Sequence, residues 1–253
     1  MIPKIIHYCW FGRNPLPKQY KDYIASWKKF CPDYEIIEWN EDNFDISINK
    51  YCREAYGAKK WAFVSDYARL KIIYDHGGIY LDTDVEILKD LTPLVSSGVG
   101  FIGFQNTYEA NTGLGFAAPQ NNSCVGKMLE LYETRSFKLD DGSYDLTPCP
   151  VVNTVALKMC GLKIGKGHCN RLQKLEGIIV YPEEYFNPMN ADTMKCTITG
   201  KTYTVHRYAS SWNSEKQKRI RKLKKYIPGA LLKLRTEHIS RKDIERFEGK
   251  ITR

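Results

Sequence analysis

The chain lacks the sequence features that mark several common functional classes. No apolar run approaches the ~20 residues that a transmembrane helix needs. None of the eight cysteines forms a C-x-x-C pair, so the usual spacing of a zinc site is missing. No G-x-G-x-x-G follows a strand pattern and no G-x-x-x-x-G-K-[S/T] occurs, which argues against dinucleotide-binding and P-loop folds. The first residues show no signal-peptide pattern, so we expect reduced thiols and a cytoplasmic protein.

Acidic residues are scarce near the end of the chain, and the positive charge is concentrated there. The formal net charge is +9, and residues 215–235 hold nine basic residues against one acid. Such a stretch indicates an anionic partner, either lipid headgroups or nucleic acid. No basic motif with interleaved aromatic residues is present, so we expect no nucleic-acid partner. We expect instead an anionic membrane surface, with a solvated charged helix as the alternative.

Strand-like and helix-like patterns alternate through the first half of the chain, which predicts an α/β fold with a mostly parallel sheet. The length of 253 residues and a hydrophobic content of 43% suit one domain over residues 1–212, followed by a basic, helical segment over residues 213–253. Pro228 and Gly229 break that segment, and a short apolar piece follows. The predicted strands cover residues 4–10, 34–39, 79–81, 85–88, 99–104, 113–119, 177–182 and 203–208. The predicted helices cover residues 18–30, 60–75, 122–135, 151–160 and 214–225.

Two aspartates stand one residue apart in the segment "GGIYLDTDVEI", directly after an apolar strand. Ligands bind at strand ends in α/β sheets. Asp82 and Asp84 would repel each other there, and a shared divalent cation would remove that repulsion. Mg²⁺ and Mn²⁺ prefer carboxylate oxygens and keep positions for phosphate oxygens. The alternative is a loop that carries two solvated acids.

An acid and a base interrupt the otherwise apolar helix that precedes this segment. Asp66 and Arg69 are three residues apart, so they lie on one helix face. One interpretation is a structural ion pair within the core. The other is a polar pair aimed into a cleft, with Arg69 on a phosphate and Asp66 on sugar or ribose hydroxyls.

The segments "IPKIIHYCWFG", "SDYARLKIIYDHGGIYLDTDVEIL" and "HRYASSW" together resemble glycosyltransferase family 32, the sugar-transferase family with a D-x-D motif. That family includes bacterial capsular polysaccharide glycosyltransferases and yeast-type initiating mannosyltransferases, and the clostridial glucosylating toxins are distant relatives. The resemblance spans residues 2–212. It implies a GT-A type fold that binds a nucleotide sugar with Mn²⁺ or Mg²⁺ and transfers the sugar with retention of configuration.

The resemblance also implies roles for the charged residues. Asp84 would be a direct metal ligand, and Asp82 would contact the metal or the ribose. Asp66 and Arg69 would hold the donor sugar and its phosphate. His206 is a candidate for a further metal or phosphate contact, with a structural strand histidine as the alternative.

Aromatic and hydroxyl side chains complete the implied site. Trp10 and Tyr80 would flank the nucleobase, and Ser211 and Trp212 would bind near the β-phosphate. For Trp10 and Trp212 the alternative interpretation is an aromatic side chain that packs in the core and binds no ligand. No residue stands out as a nucleophile, so we favour attack on the same face of the sugar that the diphosphate leaves.

The predicted protein is therefore a metal-dependent retaining glycosyltransferase of polysaccharide biosynthesis, at the inner face of the cell membrane. A UDP-sugar is the favoured donor, with GDP-mannose as the alternative, and the acceptor is a glycan or lipid-linked oligosaccharide. Rival interpretations are a metal-dependent nucleotidyl or phosphoryl enzyme and a non-catalytic, membrane-associated glycan-binding protein. Candidate acceptor-side loop residues are Asn111, Asp145 and Asn153.

Overall fold

The structure is a computed structural model that describes residues 1–209 and 227–252. Its strands are β1 (Ile5–Cys9), β2 (Glu35–Trp39), β3 (Gly78–Tyr80), β4 (Val85–Ile87), β5 (Gly100–Phe104), β6 (Ala110–Ala118), β7 (Gln173–Leu175), β8 (Ile178–Tyr181) and β9 (Thr204–His206). Its helices are α1 (Lys18–Phe30), α2 (Lys50–Gly57), α3 (Trp61–His76), α4 (Thr92–Val95), α5 (Ser123–Glu133), α6 (Cys149–Met159), α7 (Glu183–Phe186) and α8 (Gly229–Ile251). A 3-10 turn, Ile46–Ile48, precedes α2.

A seven-stranded sheet in the order β2-β1-β3-β6-β5-β8-β7 forms the centre of the fold. Strands β2, β1 and β3 run parallel, as do β5 and β8, whereas β6 is antiparallel to both β3 and β5, and β7 is antiparallel to β8. The separate pair β4-β9 is antiparallel. Strands and helices thus combine as the sequence predicts, and the α/β fold is confirmed.

The hydrophobic core covers both faces of this sheet. In β1, Ile6 and Tyr8 belong to the cluster that includes residues of α1 and α4, while Cys9 belongs to the cluster that includes residues of α2, α3, α5, α6 and α8. Because successive side chains of a strand point to opposite faces, this division follows from the pleat. The strands at the centre are therefore buried on both sides, as their short apolar sequences indicate.

One polar side chain, His7, lies within this buried centre. Its Nε2 is 3.0 Å from the carbonyl oxygen of Gly77, so Nε2–H donates there. Its Nδ1 accepts a hydrogen bond of 3.0 Å from the indole N–H of Trp39. These two contacts require the neutral imidazole, because the Nδ1 lone pair is in use. The ring joins β1 and β2 to the glycine that ends α3.

Two of the longer helices differ from the sequence-based expectation, and the one-turn helices α4 and α7 were not predicted either. Helix α2 buries only Tyr51, Cys52 and Ala55, so its short apolar pattern did not reveal it. The C-terminal helix is present, but it is a helix of 23 residues rather than a short apolar piece. Its buried Ile244 and Phe247 belong to the larger core cluster, which also contains the buried apolar residues of α6. The predicted basic helix over 214–225 lies outside the described residues, and the boundary at residue 212 stays a prediction.

Acidification from pH 7 to pH 4 is expected to destabilise the fold through His7. Burial is the main cause that lowers the pKa of His7 from 6.5 to about 4; the hydrogen bond to Gly77 opposes this shift and the charge of His76 adds to it. The unfolded chain then binds the proton more strongly, so the His7 contribution is complete above about pH 6.5 and is lost as the pH falls to about 4. The full loss is about 3 kcal/mol.

Urea unfolding at a series of pH values measures this effect. The unfolding free energy of the wild type is expected to fall more steeply between pH 6.5 and pH 4 than that of His7→Gln. The variant His168→Gln, which changes an exposed histidine, is the control and is expected to behave as the wild type does. Parallel curves for the wild type and His7→Gln would contradict the assignment.

Candidate active site

The two aspartates of the D-x-D segment lie in the turn between β3 and β4. Inside that turn, the backbone N–H of Val85 donates a 2.9 Å hydrogen bond to the carbonyl oxygen of Asp82. Strand β4 then pairs with β9 in a register that sets Val85 opposite His206. The backbone N–H of Arg207 also donates to the carbonyl oxygen of Asp84 at 2.8 Å. The late strand thus brings His206 to the acidic pair.

Asp82, Asp84 and His206 form a compact group of potential metal ligands. Each can offer one ligand atom, and these atoms lie within 4.8 Å of one another. His206 Nε2 is 3.1 Å from Asp84 Oδ1 and 4.0 Å from Asp82 Oδ2. Two carboxylate oxygens and one imidazole nitrogen suit Mn²⁺, and two carboxylates suit Mg²⁺. The residues present therefore fit the divalent cation that the sequence predicts.

Each carboxylate of this group has a cationic or potentially cationic neighbour: His206 for Asp84 and Arg69 for Asp82. Burial acts first on Asp84 and raises its pKa, but the charge and hydrogen bond of His206 and the N–H of Ala209 outweigh it, so the net pKa is lowered. For His206 the signs are reversed: burial lowers the pKa, but the charge and hydrogen bond of Asp84 outweigh burial, so the net pKa is raised above its ordinary value. Burial raises the pKa of Asp82, against the opposing charge of Arg69. The site thus holds one firmly ionised carboxylate, Asp84, beside one that needs a positive neighbour.

Arg69 is that positive neighbour for Asp82. Its Nη2 lies 3.0 Å from Asp66 Oδ1 and 3.3 Å from Asp82 Oδ1, and its Nη1 donates to Asp82 Oδ2 at 3.4 Å. Its Nε donates to the carbonyl oxygen of Ser65 at 3.0 Å. Asp66 and Arg69 therefore form the ion pair that their spacing indicates, and Arg69 also fixes the orientation of Asp82. A direct contact of Arg69 with a phosphate stays a prediction.

Tyr80 lies beneath the acidic pair and not beside the open cleft. Its hydroxyl donates a 3.0 Å hydrogen bond to Asp82 Oδ1. The guanidinium of Arg69 sits 5.1 Å from the centre of its ring, and Phe116 packs on the same ring at 6.0 Å. Only 1% of the residue is exposed. The structure therefore corrects the expectation that Tyr80 flanks a nucleobase, because both its ring and its hydroxyl are already in use.

A cleft of about 830 Å³ opens above the carboxylates. Trp10, Arg69, Asp82 and Asp84 line it, as the sequence predicts for a common site. Sequence reasoning missed further lining residues from the start of α3, from the turn before it and from the segment before α6. These are Lys59, Lys60, Trp61, Phe63, Leu146 and Pro148. Aromatic residues next to the "SDYAR" segment were the available signal for Trp61 and Phe63.

Two of the three acceptor-side candidates lie outside loops, and all three already have partners within the protein. Asn111 is buried in β6, where its Oδ1 accepts from the N–H of Gly113 at 2.7 Å. Asn153 is buried in α6 and its Nδ2 donates to Thr112. Asp145 does lie in a loop, but its carboxylate accepts two hydrogen bonds from Arg135, at 2.9 and 3.2 Å. These contacts give all three residues structural partners. Ser211 and Trp212 lie outside the described residues.

Gly113 provides space for the carboxylate of Asp82. A Cβ atom at this position would lie 2.5 Å from Asp82 Oδ2 and 3.1 Å from Arg69 Nη1. Strand β6 can therefore pass directly under the acidic pair only because residue 113 has no side chain. The sequence alone does not show which side chains lie next to this glycine.

Comparison with known proteins agrees with the sequence-based assignment. Residues 17–99 match the family described as "Glycosyltransferase sugar-binding region containing DXD motif". The matched part contains Asp66, Arg69, Asp82 and Asp84. This match and the relatives below confirm the resemblance to glycosyltransferase family 32.

Two relatives come from Schizosaccharomyces pombe. Inositol phosphoceramide mannosyltransferase 3 is 31% identical over 102 residues, which cover 37% of this chain and 27% of that protein. Inositol phosphoceramide mannosyltransferase 1 is 27% identical over 128 residues, with 44% and 39% covered. The matches thus span well under half of either relative. The solved structure "PaToxG Glycosyltransferase" is similar with a TM-score of 0.45 and 22% identity, and the match covers 62% of this chain and 69% of that one.

Substitution of Gly113 by alanine is expected to weaken Mn²⁺ binding about 5- to 150-fold. The new methyl group forces Asp82 or Arg69 out of position, since overpacking at a buried site costs about 1–3 kcal/mol. Titration of free Mn²⁺ by electron paramagnetic resonance measures the affinity. Gly200→Ala is the matched control, because a Cβ at residue 200 would meet no atom within 4 Å. Wild-type affinity in Gly113→Ala would show that Asp82 takes no part in metal binding.

Proposed function

We propose that this protein is a metal-dependent, retaining glycosyltransferase that uses a nucleotide sugar. The observation that supports the proposal most strongly is the grouping of Asp82, Asp84 and His206, in which both aspartates line the cleft and His206 lies next to them. That cleft has the volume of a small-molecule site, which is about 300–1,000 Å³. The family match over residues 17–99 and the names of the two relatives point to the same activity.

Mn²⁺ or Mg²⁺ would be held by Asp82 and Asp84, with His206 as the third ligand. A divalent cation in such a site supplies Lewis-acid stabilisation of the charge that develops on the leaving diphosphate. The protein's own part is to hold the ligands in place. Arg69 and the Tyr80 hydroxyl orient Asp82, and the N–H of Ala209 orients Asp84. Arg69 also lines the cleft, from which it can contact the donor.

The aromatic part of the cleft suits the nucleobase. Trp10 and Trp61 both line it. The Trp61 ring packs closely on the backbone at Gly12, where a Cβ atom would lie only 2.7 Å from the ring. The Trp10 indole N–H donates to the carbonyl oxygen of Asn14 at 2.6 Å, which fixes the plane of the ring. We propose that Trp61, in place of Tyr80, is the second aromatic residue beside the base. Stacking on an aromatic residue accepts any base, because every base has a π face.

The base of the donor has two candidates. A UDP-sugar remains the first proposal, since the central sequence block resembles the bacterial and toxin branch of the family. GDP-mannose is the second, and the mannosyltransferase names of the two relatives favour it.

Retention is proposed to proceed by attack on the face from which the diphosphate leaves. Among the described residues that line the cleft, Asp82 and Asp84 are the carboxylates, and both belong to the proposed metal set. Asp66 is buried against Arg69. This arrangement leaves no carboxylate of the described lining available to form a glycosyl–enzyme bond. The acceptor hydroxyl would then lose its proton to the departing diphosphate.

Addition of UDP or GDP together with Mn²⁺ is expected to raise the melting temperature of the wild type. At 100 times the dissociation constant the gain is about 2.7 kcal/mol, or about 5–10 °C for a chain of this size. Asp84→Ala is expected to lose the gain, whereas Asp140→Ala, which removes an exposed acid of the 138–146 loop, keeps it. Differential scanning fluorimetry gives the comparison.

This assay tests the donor site, and two further measurements separate the proposal from its rivals. If neither nucleotide stabilises the wild type, the donor-site proposal fails. A nucleotidyl or phosphoryl enzyme would instead release pyrophosphate or phosphate from a nucleoside triphosphate. A glycan-binding protein without activity would bind sugars with no dependence on Mn²⁺.

The basic stretch is proposed to attach the protein to an anionic membrane surface. Seven lysines and arginines lie between residues 216 and 225. No helix within residues 1–209 or 227–252 is both long and apolar enough to cross a bilayer. Removal of all residues after 215 would also remove α8, whose Ile244 and Phe247 are buried in the core. Substitution therefore tests the proposal better than truncation.

Replacement of the seven basic residues at 216–225 by glutamine is expected to release the protein from anionic vesicles. Each basic residue near such a surface contributes about 1 kcal/mol, so sedimentation with phosphatidylglycerol-containing vesicles should fall to the level seen with phosphatidylcholine alone. The control replaces Lys242 and Lys250 of α8 by glutamine. Equal sedimentation of the seven-residue variant and the wild type would refute the membrane role.

A further inference from the structure

One wall of the cleft continues into apolar side chains that are open to water. The segment between α5 and α6 carries Tyr144, Leu146 and Pro148, which we name the apolar rim. Leu146 and Pro148 line the cleft. Leu146 is 59% exposed and Tyr144 is 42% exposed. Asp145, which stands between Tyr144 and Leu146 in the sequence, has a side chain that is only 13% exposed, so the exposed and the buried side chains of this segment alternate.

The rim is held in place by its buried side. Arg135 and Asp145 form an ion pair at 2.9 Å in which both side chains are largely buried. The N–H of Asp145 donates a 2.8 Å hydrogen bond to the carbonyl oxygen of Phe137, and Lys138 pairs with Tyr144 as an isolated bridge. These contacts fix the backbone on both sides of the turn. The exposed apolar groups therefore have a defined position.

Beneath the surface, a row of rings connects the rim to the wall of the cleft. Tyr144 stacks on the buried Phe137 with centroids 5.1 Å apart and an angle of 19°. Phe137 in turn contacts Phe63, with a centroid distance of 5.1 Å, and Phe63 lines the cleft. A molecule that extends from the cleft over Leu146 would stay on apolar side chains, because Leu146 and Pro148 belong to the cleft lining and Tyr144 is exposed beside them.

The charges around the rim limit what can cover it. Asp140 and Asp141 are exposed at the tip of the turn, so an anionic membrane surface would be repelled there. Lys59 and Lys60 line the same cleft as Leu146. This combination suits a single molecule with a polar or anionic head in the cleft and a hydrocarbon part on the rim.

We propose that the apolar rim binds the hydrocarbon part of the acceptor, so that the acceptor is an amphipathic glycolipid rather than a free sugar. The proposal rests on the proposed function, which requires an acceptor at this cleft, and it adds the residues that select the acceptor class. Each methylene group that leaves water for the rim strengthens binding about fourfold. An acceptor that buries two methylene groups on the rim would therefore bind at least about tenfold more tightly.

The test compares octyl and methyl β-glycosides of glucose, galactose, mannose and N-acetylglucosamine, below their micellar concentrations. Isothermal titration calorimetry of the full chain gives a dissociation constant for each member of a pair. The octyl compounds are expected to bind at least about tenfold more tightly than the methyl compounds. Leu146→Ser and Tyr144→Ser are each expected to reduce this ratio to about threefold or less. Leu172→Ser removes another exposed leucine, 52% exposed and not part of the cleft lining, and is expected to keep the full ratio.

The outcomes are decisive in either direction. Equal affinities of octyl and methyl compounds for the wild type would overturn the proposal, and so would an octyl preference that survives both rim substitutions. Loss of binding to anionic vesicles in the rim variants would identify a membrane surface as the occupant and would also overturn it. Melting-temperature shifts with UDP or GDP and Mn²⁺ report separately on the donor site, so a failure of the proposed function is distinguishable from a failure at the rim.

Discussion

The confinement of two carboxylates in a mostly buried turn is the constraint on which the rest of the site depends. The Asp82 side chain is 25% exposed and that of Asp84 is 15% exposed, and only Thr83 separates them. Such a pair is stable only with positive charge close by, because burial of an ionised group costs several kcal/mol unless it is compensated. Arg69 supplies part of this charge from below, and His206 supplies part from the side. A divalent cation would complete the compensation.

The fold meets this constraint through contacts that are distant in sequence. The pairing of β4 with β9 places His206 beside Asp84, and the route of β6 leaves room for Asp82 at Gly113. The pair also receives a hydroxyl from Tyr80 and a backbone N–H from Ala209. Each of these positions contacts one of the two carboxylates or His206, or leaves room for one of them. The metal ligands and their supports therefore act as one unit.

Sequence patterns predicted what depends on local spacing. The Asp66–Arg69 pair follows from a helical separation of three, and the D-x-D turn follows from an apolar strand that ends in two acids. The role of Gly113 could not be predicted, because it depends on which strand lies beneath the acids. Helix α8 was missed as a long helix because its few buried positions, such as Ile244 and Phe247, give a weak apolar pattern. Tyr80 was misplaced because alternation along a short strand does not reveal which neighbours occupy its ring.

Crystallography of the protein with Mn²⁺ and UDP, using anomalous scattering from manganese, tests the central claim most directly. The account predicts a single strong anomalous peak in contact with carboxylate oxygens of Asp82 and Asp84 and with the imidazole of His206, with the diphosphate on its open side. A bound UDP with no metal at this group, or a manganese peak held by other residues, would contradict it.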